Sequence, residues 1–186
     1  NTPAGNTGTP AGNSETPSVE TVNINIGYMP NYGGMWSMMT AQEMGYFAEE
    51  GLNVSFTEFQ DGPTIIAAME NGSVNFGYIG HGGVQGNAAI IALSHISNGD
   101  ALIGGPGITS VEDLKGKVVA YSSGTSSEDI LRNSLAAHNM TMDDITAMDM
   151  DAASVVTAMM SGGVDACATW SPNSLTILEG MEGTTK

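Results

Sequence analysis

Positive charge is scarce in this sequence. The 4 lysines and arginines stand against 20 aspartates and glutamates, a formal net charge of −16. Such a surface repels a nucleic-acid duplex and an anionic membrane face, which excludes nucleic acid as a partner class. The 1 cysteine, Cys167, excludes an internal disulfide and any cysteine-based metal cluster. Long apolar runs are missing too; the stretch AAIIAL is far too short to span a bilayer. What is present is a chain of 186 residues, 41% hydrophobic, enough for one large domain or two small lobes with a real core.

Residues 1–20 form a region of their own. Thr, Gly, Pro, Asn and Ser dominate, TPAGN occurs twice, and Val19 is the first large apolar residue. Nothing there offsets the entropy of ordering, so the composition predicts a flexible tether. An exported protein whose signal peptide has been removed leaves such a tether, and an unstructured end of no consequence accounts for it as well.

From Val22 the chain alternates strand-like and helix-like patterns. VNINIGY alternates apolar and polar; Met35 to Glu50 reads as an amphipathic helix ended by Gly51; LNVSFTEF is a second strand. Asp61 and Pro63 start a helix closed by Gly72, and VNFGYI is a third strand running into GHGG. ALIGG is a short strand-like crossing, TSVEDL a capped turn, and then KVVAY, ITAMDM and VDACATW are further strands with helices between them. Ser171 and Pro172 open a last helix, with proline at its favoured first position. The order predicts an α/β fold with largely parallel sheets. The halves echo one another in the pattern D-x-x-[ST]-[IV]-[IV]-x-A-M-x-x-G-x-V-[ND], begun at Asp61 and again at Asp151.

The most informative stretch is Tyr121 to Arg132, YSSGTSSEDILR. It turns a strand into a helix at Gly124, and Thr125 with Glu128, or Ser126 with Asp129, reads as a capping box. Ser123, Thr125 and Ser126 therefore place hydroxyls and free N–H groups at a helix N-terminus, where an oxyanion binds without a lysine. An ordinary capped helix uses the same residues.

Ligands of such sheets bind beyond the C-terminal ends of the strands. Gly80, His81 and Gly82 lie at one strand end, where glycine lets backbone approach a solute; Asn31 and Tyr32 lie in the first strand-to-helix loop. Trp170 offers an apolar wall if it faces the cleft, and a core position suits it equally. His95 and His138 suit structural or exposed positions. Asp61 and Asp151 directly precede helices and read as caps rather than acid–base catalysts. No histidine pair has metal-ligand spacing, and no base accompanies the hydroxyls, so neither a metal, a cofactor nor nucleophilic catalysis is expected.

Five stretches in order, GYFAEEGLNVSFTEF, the AAMENGSVNFG helix end, IGHG, SVEDLKGKVVAYSSGTSSEDIL and SGGVDACATWSP, resemble periplasmic-type solute-binding proteins of ATP-driven importers, nearest the nitrate/sulfonate/taurine class. The resemblance covers about residues 22 to 181. It implies a two-lobed periplasmic binding protein type II-like fold. Lobe 1 would span residues 21–100, a crossing hinge 101–107 and a partial lobe 2 residues 108–186. It implies capture of a small organic anion (an aliphatic sulfonate or taurine-like solute, or nitrate or bicarbonate) between the lobes, without turnover. The partners would be ABC permease subunits, and the location extracytoplasmic, in the periplasm or lipid-anchored at the cell surface through a removed N-terminal segment. Family members run on for well over a hundred residues beyond the tryptophan helix, so the chain is expected to be C-terminally truncated. A binder or biosynthetic enzyme for a thiamine-pyrimidine precursor shares the fold, although the cysteine-rich motif of those enzymes is absent. The effector lobe of a transcription regulator shares it too, although no DNA-binding helix pair precedes it here.

Overall fold

A computed structural model describes residues 21–30, 35–80, 88–94 and 96–186. The expected tether at residues 1–20 lies outside the described residues, as do Asn31, Tyr32, His81, Gly82 and His95.

Two separate sheets form. In the first, β1 (Val22–Tyr28) is central, flanked by β2 (Leu52–Glu58) and β3 (Phe76–Tyr78), all parallel, in the order β2-β1-β3. Parallel strands need crossovers. Helices α1 (Trp36–Glu43) and α2 (Tyr46–Glu49) supply the first, and α3 (Gly62–Glu70) the second. The single helix expected over Met35 to Glu50 is thus two, because Gly45 takes a left-handed φ of 78° and turns the chain between them. Asp61 caps α3 as expected, accepting from the Thr64 N–H at 2.8 Å.

The second sheet holds β4 (Ala101–Gly104), β5 (Val118–Tyr121), β6 (Thr146–Asp149) and β7 (Ala166–Thr169), in the order β4-β7-β5-β6. β5 runs parallel to β6 and β7, whereas β4 is antiparallel to β7. The strand-like crossing segment expected at residues 101–107 supplies, over Ala101–Gly104, this sheet's edge strand. Ala101 and Ile103 are fully buried there. The residues leading into β4 are strapped on as well: Gly99 O accepts from Ser171 N at 3.0 Å and from Ser174 Oγ at 3.3 Å.

Helix α4 (Ser126–Ala137) covers one face of this sheet, its Leu131 and Leu135 packing with Ile108, Leu114, Val119, Ala166 and Ala168. Helices α5 (Ala152–Met160) and α6 (Asn173–Gly180) cover the other, where Val155, Met159 and Ile177 meet Ile103, Ala120 and Cys167. The alternation of Ala166, Cys167 and Ala168 between those clusters is the period of a strand buried on both faces. Asp151 caps α5, accepting from Ala153 and Ser154 N–H groups. Pro172 occupies the N-cap of α6 rather than its first helical position.

Candidate functional site

The strand-to-helix turn after β5 is built by its own hydroxyls. Thr125 is the N-cap of α4 in extended backbone, and its Oγ1 accepts from the Ser127 N–H at 3.2 Å while donating to Ser122 O at 2.7 Å. The fully buried Ser127 Oγ accepts from Ser122 N at 2.9 Å. The capping-box acid behaves differently from expectation. Glu128 reaches past Thr125 to the Gly124 N–H at 2.8 Å, because the left-handed φ of 67° at Gly124 turns that N–H toward the helix. Asp129 forms no second box among the described contacts.

Carboxylates from distant parts of the chain close around this turn. Asp149, at the end of β6, accepts from Ser123 N at 2.9 Å and from Ser123 Oγ at 2.7 Å. The parallel register that pairs Tyr121 with Asp149 puts it there. Asp100, just before β4, accepts from Ser126 Oγ at 2.6 Å. The N–H groups of Thr125 and Ser126 have no protein partner among the described residues, so they are the donors left at the helix N-terminus.

Electrostatics around the turn are dominated by negative charge. The Gly124 N–H, followed by Arg132 at 2.7 Å, holds the Glu128 carboxyl below the usual carboxylate range. Burial, then the neighbouring Asp149 and Glu128 carboxylates, push the Tyr121 phenol up. No lysine or arginine precedes Lys115 in the chain. Lys115 pairs with Asp144 at 3.4 Å and Arg132 with Glu128.

Of the sequence-predicted residues, Ser123, Thr125 and Ser126 share this turn, with the Thr125 hydroxyl turned inward and buried. Trp170 follows β7 directly and is half-buried, its carbonyl accepting from Ser174 N at 3.0 Å. Gly80 lies two residues beyond β3 and is half-buried. The turn also faces the first sheet's helix, since a Cβ on Gly124 would stand 3.1 Å from Pro63 Cγ. Asp100, Asp149 and Glu128 were missed as members of the site. The only sequence signal for Asp149 was an acid closing the strand after the hydroxyl loop.

A family model described as NMT1/THI5 like matches residues 34–185. The chain belongs to the NMT1/THI5-like family. A binding protein of Brucella abortus is 34% identical to this family member over 168 residues, covering 88% of this chain and 53% of that one. A Bacillus subtilis protein named for binding aliphatic sulfonates is 30% identical, over 73% of this chain and 45% of its own. The chain thus spans about half the length of the curated relatives it matches. The structure of the alkanesulfonate-binding protein of Xanthomonas axonopodis pv. citri, bound to MOPS, superposes with a TM-score of 0.70 at 22% identity. It covers 90% of this chain and 61% of that one. The fold is the α/β periplasmic-binding-protein type, with parallel-dominated sheets flanked by helices.

Proposed function

We propose that this family member captures a small organic anion at the N-terminus of α4 and presents it, outside the cytoplasm, to the permease subunits of an ATP-driven importer. The observation that carries the reading is the pair of uncommitted N–H groups, Thr125 and Ser126, at the head of a helix whose dipole favours negative charge. The reading draws support from relatives named for binding rather than catalysis, two of them for binding sulfonates. Thr125 serves through its backbone, since its hydroxyl caps the helix. Ser126 and Ser123 are hydroxyls shared with Asp100 and Asp149, and Trp170 packs on the organic part of the solute. The expected contributions of Asn31, Tyr32, Gly80, His81 and Gly82 from the first sheet's loops belong to the same proposal.

The flanking carboxylates narrow the solute class. A bare nitrate or bicarbonate ion would meet Asp100, Asp149 and Glu128, and Arg132, the cation paired at this turn among the described residues, is already committed to Glu128. A sulfonate that also bears an ammonium group, as taurine and MOPS do, satisfies both charges. A neutral pyrimidine-like ring is the second reading, favoured by the carboxylates that crowd this turn; for it Trp170 dominates.

Calorimetry with alkylsulfonates, taurine, nitrate, bicarbonate and pyrimidines tests the class, and two variants test the mechanism. Ser126→Ala removes the hydroxyl alone. Ser126→Pro removes the N–H as well, at the first helical position where proline is tolerated, after a Thr125 already in the extended backbone that proline requires. A hydrogen bond to a charged partner contributes about 1.5–3 kcal/mol, so the proline variant should bind the best anion roughly one to two decades more weakly than the alanine variant. Equal affinities for the two variants would overturn the anion-at-helix mechanism.

A further inference from the structure

Between Glu70 and Asp100 the sequence carries no aspartate, glutamate, lysine or arginine. In a chain of formal charge −16, that is an interval where two copies can approach without bringing carboxylates together. The same interval holds the most exposed isoleucines and leucines among the described residues. Ile90, Ile91, Leu93 and Ile96 are 56%, 76%, 87% and 101% exposed, and no helix or strand includes them. Ala89 and Ala92 beside them are exposed too.

The backbone behind these side chains is anchored. The buried Tyr78, last residue of β3, hydrogen-bonds through its hydroxyl to Ser94 Oγ, in the middle of the group. Further along, Ser97 Oγ accepts from Gly99 N at 3.1 Å, and Gly99 O is strapped to Ser171 and Ser174. An apolar patch fixed at its centre and beyond one end loses little freedom on docking. Covering it removes four large side chains from water, the main driving force of association.

Charge selects the occupant. A second apolar group, Trp36, Met39, Met44 and Tyr46 on and between α1 and α2, is exposed as well, but the exposed Glu43, Glu49 and Glu50 stand among those residues. Two such faces repel one another. A strongly basic partner would be drawn to carboxylates elsewhere on the chain and not to the neutral patch. A second copy behaves in the reverse way: carboxylate-bearing faces repel it, and at the neutral patch that repulsion is least while the apolar gain is largest. A two-fold contact needs only one such self-complementary surface. We propose that Ile90, Ile91, Leu93 and Ile96 form a self-association surface, through which two copies of this chain meet about a two-fold axis passing near Leu93. The axis falls there because Leu93 lies midway between Ile90 and Ile96. The inference is independent of the solute reading above.

Sedimentation equilibrium of the full chain tests it. The parent should dimerise reversibly at micromolar concentration, more tightly at high salt, which screens the repulsion between two chains of charge −16. Leu93 enters the contact twice, once from each copy, so Leu93→Asp should weaken the dimer about a hundredfold or more. Leu93→Lys should do the same alone. An equimolar mixture of the two variants should regain the dimer, because the axis sets aspartate of one copy against lysine of the other. Leu175→Asp, at another exposed leucine, should leave association unchanged. Urea midpoints of the Leu93 variants should match that of the dilute parent, which reports that they fold. A parent that stays monomeric at high salt overturns the proposal. So does a dimer that Leu93→Asp leaves intact or Leu175→Asp weakens equally, and so does a mixture that stays monomeric. Binding to neutral phosphatidylcholine vesicles, lost in Leu93→Asp and with no dimer in solution, overturns it in favour of a lipid surface.

Discussion

Gly124 and Pro63 meet between the two sheets: a Cβ added to Gly124 would stand 3.1 Å from Pro63 Cγ, and Gly124 holds a φ of 67°. Both the backbone and the neighbour therefore oppose a side chain there. Gly124→Ala should destabilise the protein by about 1 kcal/mol through the left-handed backbone alone, with a further steric cost. In a Pro63→Ala background the steric part should disappear and the backbone part persist. Urea midpoints of the four proteins of that cycle check this; an unchanged cost in the Pro63→Ala background removes the contact from the account.

The cap of α5 is the simplest to test. Asp151 accepts from two helix N–H groups and from Ser154 Oγ at 2.6 Å. Asp151→Ala should cost about 1 kcal/mol of stability in denaturant unfolding, and Asp151→Asn less, because an amide oxygen still caps.

Glu128 carries a pH signature. Its carboxyl is held below the usual range by the Gly124 N–H and by Arg132, so its ionised form is favoured on folding. A depressed folded pKa gives stability that is fully present above the unfolded value, near pH 4, and lost as pH falls through the lower folded value. The stability of the parent chain should exceed that of Glu128→Gln at pH 7, and the gap should shrink as pH is lowered to about 3. Comparing two variants cancels the relief of overall repulsion that acid brings to a chain of charge −16. A pH-independent gap contradicts the assignment.

Cys167 should be inert until the second sheet opens. It is fully buried between α5 and α6, and burial pushes its thiol pKa up to about 12. An aromatic disulfide reagent at pH 8 should leave the native protein unlabelled and modify one thiol per chain in urea. Rapid labelling of the native chain would mean that this core opens under native conditions.

How much was legible beforehand depended on distance along the chain. The caps Asp61, Thr125 and Asp151 act on N–H groups two or three residues away, so residue type and spacing sufficed to find them. The strands and most helices were legible for the same reason, since their periodicity is local. Gly45 was the exception: an apolar pattern continues across it, and only the left-handed turn shows that the helix is two.

Tertiary structure decided the rest. Asp100 and Asp149 reach the α4 turn from 26 residues before Ser126 and 26 after Ser123. They do so only because strand order sets β4 and β6 where they lie. The antiparallel course of β4, and its bridge to Thr185, likewise follow from which sheet edge was open. The chain's own residues specify hydroxyls at a helix head; what surrounds them is a product of register, because hydrogen bonds across a sheet depend on alignment that no local spacing encodes.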